Sequence, residues 1–513
     1  MKQHFLIASF LFCSLVARAI SFVNPILPYD YSDPDVIRVG DTYLMTSSSF
    51  NSVPGLQILA SKDLMHWEIV DAAVRDRLPG YQDGDRVLGN FVWAPSIREH
   101  DGRLYIFYGD PDRGIYCIRS KPLREKRLAF GDFPLAWEDP VLVMEGKGLI
   151  DACPLWDEDG RVWLCHALAG SRAGLKSVLL MAELNSDALS VKTPSRIIFD
   201  GHAEHPTCEG PKLYKRNGYY YIMHPAGGVK TGWQVVQRSK HIYGPYELKV
   251  TLAQGKTAVN GPHQGGWVDT PEGENWFIHF QDVGAAGRIV HLQPVRWVND
   301  WPEMGNNGEP VGEMKNEKLK NQNAQPSYAN FARRDEFDHA EPGLDWQWAG
   351  GYIDPKWYYC DAANSLLRLF SAPRNEELMP NMLLQKIPAV AFTATAHVRF
   401  VPNKNKKMQG AEQAGMIVFA RQSFTLEVPV TDEWCYLRLV MNDRQQGQFF
   451  VGRQTANAGR VQNTDIQWQA IGEPFQAVAG YWTGAQVGLF CSRDNRTFND
   501  AGWLDVDWFE ITL

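Results

Sequence analysis

The sequence predicts an all-β protein in which a five-bladed β-propeller is followed by a β-sandwich. Three observations lead to this fold class. A hairpin pattern recurs five times in the first three hundred residues, a polar segment follows, and short alternating strands occupy the rest of the chain. With 513 residues the chain is too long for one ordinary core. A hydrophobic content of 44% with 21% charged residues is typical of a globular protein.

Each copy of the hairpin has a strand, a turn that contains glycine, and a second strand with an aromatic residue three positions after that glycine. Asp-Gly and Asn-Gly turns between apolar runs are strong hairpin signals. Successive turn glycines are 62, 58, 58 and 55 residues apart, which leaves room for four strands per copy and indicates a propeller over residues 20–312. The five turn glycines are Gly40, Gly102, Gly160, Gly218 and Gly273. The hairpins are predicted at Val36–Met45, Ile97–Phe107, Leu155–Leu164, Leu213–Ile222 and Val268–Ile278.

The composition changes after the predicted propeller. Residues 313–330 are polar, with several Lys and Asn and few apolar side chains, which indicates a linker. Residues 331–513 show short alternating strands bounded by turns, a pattern typical of a β-sandwich. The strands expected there are Phe392–Phe400, Gly415–Ala420, Tyr436–Met441, Gln448–Val451, Val487–Phe490 and Trp503–Thr512.

The amino terminus is typical of an export signal. Lys2 precedes an apolar run from Phe5 to Val16, which is too short to span a membrane, and Ala17-Arg-Ala fits a cleavage site. The sequence therefore predicts a signal peptide over residues 1–19 and a secreted or periplasmic mature chain. A lipid anchor at Cys13 is less favoured, because the bulky Phe12 precedes it. No other segment is predicted to span a membrane.

Charge and cysteine patterns exclude several classes of protein. The net charge is −8 and no basic run or stripe occurs, which argues against nucleic acid as a partner. Seven scattered cysteines remain after the predicted cleavage, so neither a disulfide framework nor a cysteine metal site is expected. The sequence has no GxGxxG after a predicted strand and no P-loop, which leaves a nucleotide or redox enzyme without support.

Three carboxylates fall at one register of the repeat. Asp151 and Glu209 lie nine residues before their turn glycines, and Asp33 lies seven before its own, because the first turn is two residues tighter. Trp93 and Gln264 occupy the same register in the other two copies. If this register lies on the innermost strands, the carboxylates converge near the axis, where crowding raises the pKa of at least one of them. A single such carboxylate would more often cap a turn, but three indicate the acid and base of glycoside hydrolysis.

At these residues the chain resembles glycoside hydrolase family 43, the five-bladed propeller glycosidases that act on xylan and arabinan. In the first domain the matching stretches are Asn24-Pro-Ile-Leu-Pro, Asp33-Pro-Asp-Val-Ile-Arg-Val-Gly-Asp, Trp93-Ala-Pro-Ser, Ile150-Asp, Asp157-Glu-Asp-Gly, Glu209-Gly-Pro-Lys-Leu-Tyr and Leu292-Gln-Pro-Val-Arg-Trp. The second domain resembles the concanavalin-like jelly-roll sandwich that accompanies exo-acting β-xylosidases and arabinofuranosidases of this family. Its matching stretches are Asp335-Glu-Phe, Leu344-Asp-Trp-Gln-Trp and Gln413-Ala-Gly-Met-Ile-Val-Phe.

The resemblance implies an inverting mechanism with Asp33 as base, Glu209 as acid, and Asp151 as a third carboxylate that tunes the acid and orients the substrate. Inversion requires the acid and base to lie roughly 6.5–9.5 Å apart, so that a water molecule fits between them. The base of the family usually sits in Pro-Asp-Pro-Ser, whereas Ser32-Asp-Pro-Asp stands here. This departure does not affect the carboxylate itself.

The resemblance also implies residues that contact the sugar. Phe50 and Trp93 are expected to form subsite walls, although core packing would use the same rings. Arg288 is expected to point at the sugar, and a surface salt bridge is its alternative. His263 is similar to a histidine that holds a calcium ion through water in several relatives, and the alternative is a plain structural histidine. No cofactor is required, and a structural calcium ion is left open.

The favoured function is therefore an inverting exo-glycosidase that releases a terminal pentose from xylan-type oligosaccharides. β-D-Xylosidase is the first expectation and α-L-arabinofuranosidase the second, since the two pentoses present similar hydroxyl patterns. An endo-acting arabinanase or xylanase is the next alternative. The last alternative is a propeller that binds carbohydrate without cleaving it. The sequence leaves the oligomeric state open.

Overall fold

The computed structural model describes residues 22–82, 88–124, 128–314, 333–352, 354–374, 381–408, 410–429, 433–454, 466–494 and 499–513. The predicted signal peptide lies outside these ranges, as does the predicted linker apart from residues 313 and 314. Regular structure is almost entirely strand, which confirms the all-β prediction. The helical segments of the described chain are one short α-helix, Gly170–Ala173, and the 3₁₀ turns Phe130–Asp132, Gly284–Ala286, Pro355–Trp357 and Lys406–Met408.

Five antiparallel four-stranded sheets form the blades of a propeller, as predicted. Blade 1 contains Asp35–Val39, Thr42–Thr46, Gly55–Ser61 and Glu68–Val74. Blade 2 contains Trp93–His100, Arg103–Asp110, Gly114–Arg119 and Val141–Glu145. Blade 3 contains Leu149–Trp156, Val162–Leu168, Val178–Leu184 and Arg196–Asp200. Blade 4 contains Lys212–Arg216, Tyr219–Ala226, Trp233–Ser239 and Glu247–Ala253. Blade 5 contains His263–Asp269, Asn275–Asp282, Arg288–Val298 and Trp301–Met304.

The first strands of the blades meet around the propeller axis. Those of blades 1 to 4 contact one another in order, and that of blade 5 contacts blade 4 and the first strand of blade 1, which closes the ring. Phe22–Val23 pairs with Glu313–Met314, so the two ends of the propeller segment are joined by a short antiparallel ladder. Residues at the start of each first strand therefore share one end of the axis.

The aromatic residue that follows each turn glycine packs between neighbouring blades. All five are buried, and each belongs to an apolar cluster that combines residues of its own blade with those of an adjacent one. Rings of this size bury a large apolar area at each contact. They are Tyr43, Tyr105, Trp163, Tyr221 and Trp276. The repeat that identified the fold thus also marks the residues that hold the blades together.

The second half of the chain forms two packed β-sheets around a separate apolar core, as predicted. One sheet contains, in spatial order, Tyr358–Asp361, Leu366–Phe370, Trp503–Thr512, Phe392–Val401, Cys435–Met441, Gln446–Gln454 and Ile466–Gln476, with Arg334–Asp335 beside Trp503–Thr512. The other contains Phe424–Glu427, Glu412–Phe419, Gln486–Arg493, Met382–Lys386, Gln347–Ala349 and Ser52–Val53, with Ala372–Pro373 beside Gln486–Arg493.

One strand of the sandwich comes from the propeller. Ser52–Val53, in the loop between the second and third strands of blade 1, pairs with Trp348 and Ala349 at the edge of a sandwich sheet. The backbone N–H groups of Gly350 and Gly351 also donate to the carbonyl of Asn51. A backbone ladder therefore fixes the sandwich against the loop of blade 1 that carries Phe50, a predicted site residue.

The cysteines behave as small apolar residues. All seven in the described part of the chain are free thiols, and only Cys360 among them is not fully buried. Within the same residues, no helix has the length and apolar character needed to cross a membrane.

Candidate active site

One residue near the start of each first strand adopts a left-handed backbone conformation. The five residues and their φ angles are Asp33 (54°), Ala94 (27°), Asp151 (60°), Gly210 (58°) and Gln264 (26°). Few residues other than glycine adopt positive φ, and such strain concentrates at functional sites. Because the left-handed conformation recurs in all five blades, it is a regular feature of the repeat. It is located where the first strands meet.

The sequence alignment on the turn glycines was off by one residue for Glu209 and Trp93. The residue before the left-handed position pairs with the second strand in the same way in three blades, as Trp93↔Gly109, Ile150↔Ala167 and His263↔Phe280. Glu209 fits this set, because its N–H donates to the carbonyl of Pro225. The error arose because hairpin lengths differ: blade 2 turns tightly at residues 101–102, whereas blade 3 turns over 157–161. Asp33 and Asp151 thus occupy the same position in their blades, the left-handed one. Glu209 occupies the preceding position, which His263 occupies in blade 5.

Asp33 is a buried carboxylate held by two donors. The hydroxyl of Ser48 donates to its Oδ2 at 2.6 Å, and Nη1 of Arg288 lies 3.2 Å from Oδ1. Ser48 is itself fixed, because its Oγ accepts the backbone N–H of Ala94 at 2.7 Å. The bond from the guanidinium is charge-assisted and fixes the orientation of the carboxylate. The site therefore orients Asp33 as an acceptor, the state that a general base needs.

Asp151 lies deeper and has a different electrostatic environment. Its Oδ2 accepts the N–H of Gly210 at 2.7 Å and the side-chain amide of Gln264 at 3.3 Å. Burial raises the pKa of Asp151 well above its usual value, and the nearby carboxylates of Glu209 and Asp33 raise it further. Asp33 and Asp151 are equivalent residues of the repeat, but their environments differ. Asp33 faces a guanidinium, whereas Asp151 faces other carboxylates.

Asp151→Asn is expected to stabilise the protein at neutral pH. The raised pKa means that ionising Asp151 costs folding free energy as the pH rises above its unfolded value of about 4. The amide keeps an acceptor for Gly210 but carries no charge. The free energy of unfolding of the variant should therefore match that of the native protein in acid and exceed it increasingly as the pH rises to 7. Urea unfolding across this pH range measures the difference.

Asp157→Asn is the matched control with the opposite sign. Burial raises the pKa of Asp157, but hydrogen bonds from Lys215 and Tyr220 outweigh burial and lower it overall. The variant should lose stability at neutral pH, and its deficit should disappear as the pH falls through the folded pKa. If Asp151→Asn showed the same sign as this control, Asp151 would not be a destabilising buried charge.

Glu209 is the most accessible of the three carboxylates. Its side chain is 28% exposed, and its Oε1 lies 3.0 Å from Nε2 of His263. His263 is fully buried, and its Nδ1 has no protein partner among the described residues. The ring thus fixes one oxygen of Glu209 from the protein side and leaves the other available to a ligand.

Phe50 and Trp93, the two predicted subsite walls, lie edge to face with ring centroids 6.4 Å apart. Phe50 is buried, while Trp93 is half-buried and anchored by its indole N–H to the carbonyl of Gly89. A third ring, Trp482 of the sandwich, lies 5.9 Å from Trp93 and is 52% exposed. Trp482 was not predicted as a site residue. The only local signal for Trp482 in the sequence is an aromatic pair in a loop bounded by Gly480 and Gly484.

Arg288, which the resemblance predicts to point at the sugar, lies in a buried position beside Asp33. Its guanidinium pairs with Asp33 and lies 4.8 Å from the centre of the Phe280 ring. An uncompensated buried guanidinium would be costly, and the pair with Asp33 removes that cost. The surface salt bridge that was its alternative is therefore not what the structure contains.

The described residues do not provide the side chains for a direct calcium site, which the resemblance left open. They contain no group of three or more His, Cys, Asp or Glu side chains that could hold a metal. At the axis, Nδ1 of His263 and Oε1 of Gln264 are buried without protein partners. Calcium prefers six to eight oxygen ligands, so these two atoms do not make a direct calcium site.

The chain matches models of known protein families and is similar to known proteins. A family model described as "Glycosyl hydrolases family 43" matches residues 22–302, and one described as "Beta xylosidase C-terminal Concanavalin A-like domain" matches residues 334–433 and 420–512. A protein of Xylanibacter ruminicola named "Putative beta-xylosidase" is 32% identical over 489 residues, which cover 89% of this chain and 84% of that protein. The "Non-reducing end alpha-L-arabinofuranosidase BoGH43B" of Bacteroides ovatus is 25% identical over 96% of this chain and 94% of its own.

A solved structure shares the whole fold. The xylan β-1,4-xylosidase of Bacillus halodurans C-125 superimposes with a TM-score of 0.77 at 21% identity and covers 96% of this chain and 100% of its own. The propeller and the concanavalin-like sandwich therefore occur together, in one arrangement, in both proteins.

Proposed function

Because the chain belongs to glycosyl hydrolases family 43, we propose that it is an inverting exo-glycosidase that releases terminal β-D-xylose from xylan-type oligosaccharides. Membership of the family makes it a glycoside hydrolase that acts on carbohydrate. The observation that carries the finer proposal is the meeting of Asp33, Asp151 and Glu209 at one end of the axis, each in a different environment. Glycoside hydrolysis with inversion needs two carboxylates in unlike protonation states.

Asp33 is proposed as the base that takes a proton from the attacking water. Ser48 and Arg288 orient its oxygens before the reaction. Glu209 is proposed as the acid that protonates the leaving oxygen of the glycosidic bond, because its free oxygen is accessible while His263 fixes the other. Asp151 lies near Glu209, and burial together with the charge of Glu209 raises the pKa of Asp151. This route uses the protein's own side chains and one water molecule, and no step requires a cofactor.

Exo action is supported by the position of the sandwich. The carbonyl of Trp482 accepts a hydrogen bond from Ser32, the neighbour of Asp33, and its ring packs on Trp93. A loop of the second domain therefore borders the site that the propeller carries. A site bordered on one side by such a loop accommodates the end of a sugar chain better than its middle.

The sugar is proposed from the relatives. The names of the Xylanibacter and Bacillus proteins refer to xylosidase, and that of the Bacteroides protein refers to arabinofuranosidase. The relative named a xylosidase shares more identical residues with this chain, so β-D-xylose is proposed first and α-L-arabinofuranose second. We also propose export, on the signal-like composition of residues 1–19. Amino-terminal sequencing of the protein recovered outside the cytoplasm should then begin near Ile20.

The function is tested with 4-nitrophenyl β-D-xylopyranoside and 4-nitrophenyl α-L-arabinofuranoside side by side, followed by xylohexaose. The expected result is faster release from the xyloside, and loss of single xylose units from the non-reducing end of the oligosaccharide. Faster release from the arabinofuranoside would establish the second candidate. Internal cuts in xylohexaose, without release from either aryl glycoside, would show an endo-acting enzyme. Binding of the oligosaccharide without any cleavage would contradict the enzymatic proposal.

A further inference from the structure

A fourth carboxylate lies just behind the proposed base. Asp30 is three residues before Asp33 and is only 8% exposed. Its Oδ1 accepts the backbone N–H of Arg288 at 2.8 Å. The single hydroxyl proton of Ser32 is shared between Asp30 Oδ1, at 3.3 Å, and the carbonyl of Trp482, at 3.2 Å. Asp30 therefore contacts the backbone of Arg288 and the side chain of the residue that precedes Asp33.

The same carboxylate also contacts the sandwich. The backbone N–H of Gly484 donates to Asp30, at the end of the loop that carries Trp482. A Cβ added to Gly287 would lie 2.5 Å from both Asp30 Oδ1 and the nitrogen of Gly484, so the three chain segments approach each other as closely as glycine allows. Beside this point, Ser32 links to the carbonyl of Trp482. One buried side chain thus joins two propeller segments and one sandwich loop.

We propose that Asp30 is a positioning residue through which the sandwich loop 480–484 holds Asp33 and Arg288 in their catalytic geometry. This inference rests on the proposed function, because it assigns a role in the same reaction. Asp30 does not touch the reacting atoms. It acts through the backbone of Arg288 and the hydroxyl of Ser32.

The charge of Asp30 argues against simple packing as its role. Burying a carboxylate is costly unless donors and a counter-charge compensate it. Burial raises the pKa of Asp30, and Lys386 and the two backbone N–H donors act in the opposite direction. Lys386 comes from the sandwich, lies over the ring of Tyr31 at 3.6 Å, and has its own pKa lowered by burial to about 8. The carboxylate offers two acceptor oxygens at this junction, whereas an amide of the same shape keeps only one.

The test compares Asp30→Asn with Asp345→Asn in the full-length chain. Asp345 is a carboxylate of the same domain seam with a pKa that burial raises, but it contacts Gln385 and Arg333 and none of the site residues. With 4-nitrophenyl β-D-xylopyranoside, we expect Asp30→Asn to lower kcat by about tenfold or more with a smaller change in KM, because small displacements of catalytic groups are costly. Asp345→Asn should keep both constants within about twofold, even if the two variants lose similar thermal stability.

A double-mutant cycle with Ser32→Ala, which removes the hydroxyl that reaches both Asp30 and the carbonyl of Trp482, tests whether Asp30 acts through the sandwich loop. If it does, the loss of kcat in the double variant should be clearly smaller than the product of the two single losses. Equal kinetics of Asp30→Asn and Asp345→Asn, or losses that simply multiply in the cycle, would overturn the inference. A native protein that cleaves neither aryl glycoside would instead overturn the proposed function, so the two failures are distinguishable.

Discussion

Asp33→Asn is expected to abolish hydrolysis of every substrate, with a fall in kcat of about a hundredfold to ten-thousandfold. The amide keeps the size of the side chain and can still accept from Ser48, but it cannot take a proton from water. Every turnover of an inverting glycosidase needs that proton transfer, whatever the leaving group. The loss should therefore be equally severe on xylobiose and on aryl xylosides. Steady-state kinetics with both substrates, at several values of pH, would measure it.

Asp157→Asn is the kinetic control for this variant. Asp157 is a buried propeller aspartate in the hairpin turn of blade 3, where it pairs with Lys215. It is not one of the three carboxylates at the axis. Its substitution should affect stability and leave kcat within about twofold. Substantial activity of Asp33→Asn on any glycoside would show that another group activates the water. A loss confined to substrates with poor leaving groups would assign Asp33 to the acid role instead.

The propeller could be predicted because its signals are local. A turn glycine and an aromatic residue three positions later lie within one hairpin, and the predicted pairs Val36↔Met45 and Leu213↔Ile222 are found in the sheets. The sequence spacing also located Asp151 near the axis. It could not give the register of Glu209, because one or two extra residues in a hairpin shift the count without changing the strands.

Two long strands of the sandwich were predicted because one face of each is apolar. Phe392–Val401 and Trp503–Thr512 alternate clearly and were expected within a residue or two. Ile466–Gln476 was missed, because it is an edge strand whose side chains are mostly exposed and show no apolar alternation. Ser52–Val53 was missed because two residues carry no periodicity. Its partner strand lies some three hundred positions away.

The residues that connect the two domains at the site had no signal in the sequence. Asp30 lies beside a recognised motif, but its donors at Gly484 and Arg288 come from distant positions in the chain. Trp482 reaches Trp93 only through the packing of the sandwich on blade 1. Hairpin spacing predicts contacts within a blade, whereas contacts between domains follow from tertiary packing.

Glu209→Ala is expected to separate substrates by the quality of their leaving group. The leaving group of xylobiose is a xylose unit, which departs as an alkoxide unless an acid protonates the glycosidic oxygen. The kcat/KM for xylobiose should therefore fall by about a hundredfold to ten-thousandfold. The leaving group of 2,4-dinitrophenyl β-D-xylopyranoside is a stable phenolate that needs little protonation, so kcat/KM for this substrate should fall far less. The ratio of the two losses, measured in one buffer, reports the role of the residue independently of how well the variant folds.

Glu204→Ala is the matched control, because Glu204 is an exposed glutamate in the loop that precedes Glu209. It should leave both substrates unchanged. Glu209→Gln adds a further comparison, since the amide can keep a hydrogen bond to His263 at the position where Oε1 lies 3.0 Å from Nε2. If Gln and Ala gave the same leaving-group dependence, the effect would come from the lost proton and not from a displaced His263. Equal losses on xylobiose and on the dinitrophenyl xyloside would show that Glu209 is not the acid.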